Sequence, residues 1–113
     1  MKIVRKKDRI KYKNSDVCTA YEYHFGDKDI NGAVIELNGR YPDKGKVVNR
    51  VCKEIVHVIS GKGTLNINGK EFLIQKDDQA LIEPGEMYFF EGKMIFFTPC
   101  TPSWYPEQHK EVD

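Results

Sequence analysis

The chain offers no apolar run approaching the roughly 20 residues that a membrane-spanning helix requires. Its start, "MKIVRKKDRIKYK", is basic but has none of the apolar core of a secretion signal. A cytoplasmic location without membrane attachment is the expectation. Three cysteines, Cys18, Cys52 and Cys100, are an odd number, and none stands at CxxC spacing. That argues against a disulfide framework and against a zinc knuckle, and leaves reduced thiols. Charge of one sign is also missing: 18 basic residues face 17 acidic ones, a net +1, so no global field draws nucleic acid or acidic lipid. At 113 residues the chain is long enough to close one core but not two.

Helix signals are scarce as well. Apolar residues recur at period two or in short runs, as in "GAVIELNG", "EIVHVIS", "TLNING", "EFLIQ", "QALIEPG" and "MIFFTPC", and turn formers separate the runs. Asn68-Gly69, between "TLNI" and "KEFLI", is the strongest hairpin signal, because both residues tolerate the positive φ of a type I′ turn. Eight or nine short strands in one domain of residues 1–113 predict an all-β sandwich or barrel, most economically a jelly roll.

The order of the punctuation resembles a known pattern. Glu54, six residues, Gly61, one residue, Gly63, then a hairpin, is followed about twenty residues later by "DDQALIEPGEMY". This rhythm is similar to the two motif blocks of the cupin superfamily. The first block there runs His-x-His, three or four residues, Glu, six residues, Gly; the second runs Gly-Asp, an apolar strand, Pro-Gly, two residues, His. Glu54 and Gly61 fall in register, Asp77-Asp78 takes the Gly-Asp turn, and Tyr88 takes the place of the last histidine. The resemblance covers about residues 45–98 and implies a single-domain cupin jelly roll, the RmlC-like double-stranded β-helix barrel.

The departures from that pattern fall on the metal ligands. The two imidazoles of the first block should stand at Val47 and Asn49, or at Val48 and Arg50, and neither register has one. Asn49, Glu54 and the phenol of Tyr88 are a poor donor set, so no metal and no other cofactor is expected. A rearranged site from Glu54, Cys52 and Cys100 is the metal-binding alternative. Strand alternation places Val56 and Val58 on the face of Glu54, and Ile55, His57 and Ile59 on the opposite one, so His57 should point outward. His24 and His109 are read as solvated or capping residues near strand or chain ends.

A carboxylate on an inward strand needs a partner. Tyr88, Asn49, Arg50 and Arg40 are the candidate donors for Glu54, and Tyr41, Tyr88, Phe90, Phe97 and Trp104 are candidates to line a cavity. The ligand site is therefore expected to comprise Asn49, Glu54, Tyr88, Phe90, Tyr41, Arg40 and Trp104. Residues 99–113 form a Pro-rich strap, in which Pro99, Pro102 and Pro106 forbid a regular central strand, and Trp104 and Tyr105 supply apolar surface. It should lie over the barrel mouth or against a second subunit, with the last five residues the part most able to stay disordered. The basic run Lys2–Lys13 is interleaved with Ile3, Val4, Ile10 and Tyr12, and reads as a lysine-protected edge strand more than a nucleic-acid arm.

Three functions stay open. The first is a metal-free cupin, a homodimer, binding a small sugar-like or carboxylate ligand inside the barrel. The second is a metal-independent enzyme of the sugar epimerase/isomerase type, with Glu54 and Tyr88 as its candidate catalytic groups. The third is a metal-dependent enzyme with the rearranged Cys/Glu site.

Overall fold

Nine strands account for nearly all the regular structure in a computed structural model that describes residues 1–113. They are β1 (Ile10–Ser15), β2 (Cys18–Tyr23), β3 (Asn31–Tyr41), β4 (Lys46–Asn49), β5 (Lys53–Ile67), β6 (Lys70–Gln75), β7 (Gln79–Ile82), β8 (Met87–Thr101) and β9 (His109–Val112). Every pairing is antiparallel. One path runs β1-β2-β3-β8-β4-β9, and β5 joins it through β8 while also pairing β6 and β7. The sheet curls into the expected jelly roll, and no helix is long and apolar enough to cross a membrane.

Alternation along β5 and β8 builds the core. On β8 the inward set is Tyr88, Phe90, Met94, Phe96, Thr98 and Cys100, all buried. On β5 Glu54, Val56 and Val58 share one parity, whereas Gly63 and Leu65 face inward from the other. A one-residue register shift between Val58 and Ser60 separates the two halves. The extra residue lets one strand serve both halves of the barrel wall, as a β-bulge does. The glycines beyond it follow from that bend. Gly61 has φ +80°, and a Cβ there would strike the carbonyl oxygen of Lys93 across the ladder.

The expected turns form. Asn68 (φ 50°) and Gly69 (φ 87°) close the β5-β6 hairpin with Ile67 opposite Lys70. Asp77 stands where the cupin pattern has glycine and adopts φ 70°; its amide donates to Val58 O while Val58 N donates to Asp78 O, so backbone pairing holds a left-handed residue that is not glycine. β1, with its exposed lysines, is an edge strand paired to β2 alone.

Two expectations are corrected. Pro99 does not end regular structure: it lies inside β8 opposite Gly32 of β3, in the interval between Phe97 and Cys100 where β8 has no registered β5 partner. A missing N–H is harmless there. At the end of the chain His109–Val112 pair with Lys46–Asn49. Phe97 is not a cavity residue: it has the outward parity of β8, opposite His57, and is 40% exposed.

Candidate functional site

Asn49 is the hub of the barrel interior. It ends β4, is 1% exposed, and lies directly opposite His109 of β9. Its amide nitrogen donates to Glu54 Oε1 at 2.9 Å and approaches the Tyr88 hydroxyl at 3.3 Å. Its Oδ1 accepts from Trp104 Nε1 (3.2 Å), Gln108 Nε2 (3.0 Å) and His109 Nδ1 (2.7 Å). The indole N–H can only donate, so it fixes which end of the amide is oxygen. Gln108 is fixed in turn, since its Oε1 accepts from the amides of Val51 and Cys52.

Glu54 receives three neutral donors. The Tyr88 hydroxyl donates to Oε1 at 3.0 Å, beside Asn49, and Thr98 Oγ1 donates to Oε2 at 2.9 Å. Two bonds fill the lone pairs of Oε1, whereas Oε2 keeps one acceptor position. Burial raises the Glu54 pKa above the ordinary carboxylate value, and the bonds from Thr98, Tyr88 and Asn49 oppose that rise. Burial and the neighbouring carboxylate push the Tyr88 phenol well above its usual range, so it stays a donor.

Glu54, Tyr88, Thr98, Trp104 and His109 line a cavity of about 150 Å³. Tyr41, Tyr88, Phe90, Phe96 and Trp104 contribute aromatic wall, and Ile35, Leu37 and Val56 aliphatic wall. Burial, with Cys18 and Glu111 nearby, pushes the Tyr41 phenol up to about 12. Glu22 is a second carboxylate in the lining, also raised by burial. No lysine or arginine lines the cavity.

Of the expected site residues, Glu54, Tyr88, Phe90, Tyr41 and Trp104 line this cavity, and Asn49 bonds to three of them without lining it. Arg40 does not join them. Its guanidinium donates to the carbonyls of Pro42 (2.5 Å) and Gly45 (2.9 Å) and stacks 3.9 Å from the Phe89 ring centroid. Arg50, the other cationic candidate, is exposed. His57 faces outward and pairs Nδ1 with Gln79 Nε2 at 2.9 Å. Two residues were missed. Thr98 shares the parity of Tyr88 and Phe90, a signal that was readable. His109, read as solvated or capping, lines the cavity.

The donor set does not fit the metal of the cupin pattern. Val47 and Val48 are buried apolar residues, Asn49 is spent on its neighbours, and the carboxylate is saturated but for one lone pair. The Cys52 and Cys100 thiols both point at the Pro102 carbonyl, each at 3.4 Å. Burial pushes both upward in pKa, away from the thiolate a metal needs. No group of three histidine, cysteine, aspartate or glutamate side chains is placed to hold a metal ion.

A small antiparallel barrel with one polar cluster sunk in an aromatic cavity is the class that fold and site define. The fold is that of the cupin barrels. Residues 54–92 match the AraC-like ligand binding domain model, about a third of the chain. Among solved structures it is similar to Pac13, described as a unique nucleoside dehydratase, with TM-score 0.89 at 13% identity over 99% of this chain and 91% of that one. A variant of Streptomyces PAC13 solved with uridine gives TM-score 0.87 at 14% identity, covering 96% and 88%. Ectoine synthase from P. lautus gives 0.73 at 12%, covering 100% and 91%. No curated protein matches the sequence.

Proposed function

We propose that the barrel binds a neutral, hydroxyl-bearing small molecule of the sugar or nucleoside kind, without a metal, and that Glu54 orients it. The observation that carries this reading is a carboxylate held by neutral donors, with one acceptor position left, in a cavity that holds a second carboxylate and no cation. A carboxylate ligand, the other option open from sequence, would meet Glu54 and Glu22 with nothing to offset their charge. A hydroxyl donates to Oε2 without that penalty, and the aromatic wall suits the apolar faces of a sugar or base. The likeness to a nucleoside dehydratase, one variant of which was solved with uridine, supports the same ligand class.

Uridine is the probe. Calorimetry on the full chain should show binding at millimolar concentration or better, and Glu54→Gln should weaken it about tenfold or more, the loss of one charge-assisted hydrogen bond. His57→Ala should leave affinity within about twofold. The protein should bind uridine with well under one equivalent of transition metal by elemental analysis. No uridine binding, or about one metal equivalent lost on mutating Glu54, would overturn the reading.

A metal-independent enzyme of the epimerase or isomerase type is the second reading. It is favoured by one observation: Tyr88 donates directly to Glu54, so an acid and a proton acceptor already share a hydrogen bond at the cavity wall. We also retain the cytoplasmic homodimer as a proposal. Ile55, Ile59 and Phe97 are 38%, 42% and 40% exposed on strands β5 and β8, and a second copy would cover them. Sedimentation velocity should give twice the 13.1 kDa chain mass, and a purely monomeric boundary at high concentration would rule the dimer out.

A further inference from the structure

We infer that His109 supplies a second ligand acceptor, its Nε2, so that the cavity binds its ligand through two separate hydroxyls, one on Glu54 Oε2 and one on His109. The inference rests on the ligand class proposed above and adds the residue that discriminates within it.

The tautomer follows from the hub. Trp104 Nε1 has no acceptor capacity, so the Asn49 atom it contacts is oxygen, and the same oxygen lies 2.7 Å from His109 Nδ1. An imidazole nitrogen facing an acceptor at that distance carries the proton. In the neutral ring, Nε2 then holds the lone pair. Burial keeps the His109 pKa below the ordinary imidazole value, against the opposing pull of Glu111, so the neutral ring is the form present at pH 7.

Position follows from strand pairing. β9 lies antiparallel to β4 with His109 opposite Asn49, which holds the Nδ1 edge of the ring and leaves Nε2 as its free end. Nε2 makes no hydrogen bond within the protein, and no buried side-chain nitrogen or oxygen lacks a partner, so Nε2 is open to solvent. The ring lines the cavity and packs on Trp104 with centroids 5.5 Å apart. Glu54 and His109 are thus held by opposite ends of a single amide, each with an unused lone pair. Two acceptors in fixed relation discriminate a polyol from a mono-alcohol, because a ligand lacking one hydroxyl strands a desolvated acceptor.

Asparagine reproduces the Nδ1 donor of histidine but has nothing at Nε2, so His109→Asn separates the structural bond from the acceptor. Nitrogen-15 NMR of the full chain should first show the neutral Nδ1–H tautomer for His109. Calorimetry should then show that the wild-type protein prefers uridine over 2′,3′-dideoxyuridine by about a hundredfold, about tenfold from each acceptor. His109→Asn should lose about tenfold of that preference by weakening uridine, the remainder resting on Glu54, with its melting temperature close to wild type. An Nε2–H tautomer, or a variant that still discriminates the two nucleosides as wild type does, overturns the inference. Uridine binding that depends on Glu54 but not on His109 leaves the wider proposal standing, whereas no binding by the wild-type protein overturns both.

Discussion

Gly61→Ala should cost at least about 3 kcal/mol of stability and leave most of the protein insoluble or unfolded, the effect of a backbone collision added to a strained φ. The added methyl would meet the Lys93 carbonyl oxygen and come within 2.9 Å of Met94 Cα, both on the neighbouring strand β8. Neither can retreat, because β5 and β8 are paired on either side of this point. Gly69→Ala is the control. It has a comparable positive φ of 87° but nothing within 4 Å, so it should lose only about 1–2 kcal/mol from the left-handed backbone. Urea titration of the two variants decides the matter. Equal losses would mean that φ alone, and not the crossing of β5 and β8, makes glycine necessary at Gly61.

Asn49→Ala should be nearly as damaging, at about 3–5 kcal/mol, and in a different way. It removes no apolar packing of consequence but strips a buried acceptor from Trp104, Gln108 and His109 and a donor from Glu54. Unpaired buried polar groups each carry a desolvation cost of about 1–3 kcal/mol, partly recovered when the C-terminal segment loosens to let water in. The chain has one tryptophan, and it is one of the orphaned donors, so its fluorescence reports the event directly. The variant should show red-shifted Trp104 emission and faster amide exchange in β9, with β5 and β8 still protected. An unchanged emission spectrum with wild-type stability would mean that the network contributes nothing.

The local parts of this architecture were readable and the convergent parts were not. Glu54, Gly61 and Asn68-Gly69 announce themselves because turn chemistry and strand parity act over a few residues. Phe97 was misplaced although the same parity argument, carried from Tyr88 and Phe90 along β8, would have put Phe96 and Thr98 inside and Phe97 outside. Arg40 failed for another reason. The carbonyls of Pro42 and Gly45, within five residues, capture its guanidinium before it can reach Glu54, and backbone acceptors leave no trace in side-chain identity. His109 lies 60 positions from Asn49. Only the pairing of β9 with β4 brings them together, and a four-residue strand after three prolines has too little pattern to declare its partner.

That late strand gives the molecule an unusual division of labour. The barrel wall supplies shape, the carboxylates and a hub amide, while Trp104, Gln108 and His109 arrive on a short ribbon whose only strand pairing is with β4. On the proposed reading, ligand selectivity rests in part on this ribbon. An exchange of residues 104–109 has to keep donors for Asn49 Oδ1 and an acceptor for the Val51 and Cys52 amides, so the hub limits how far this ribbon can vary while the inward side chains of β5 and β8 stay in place.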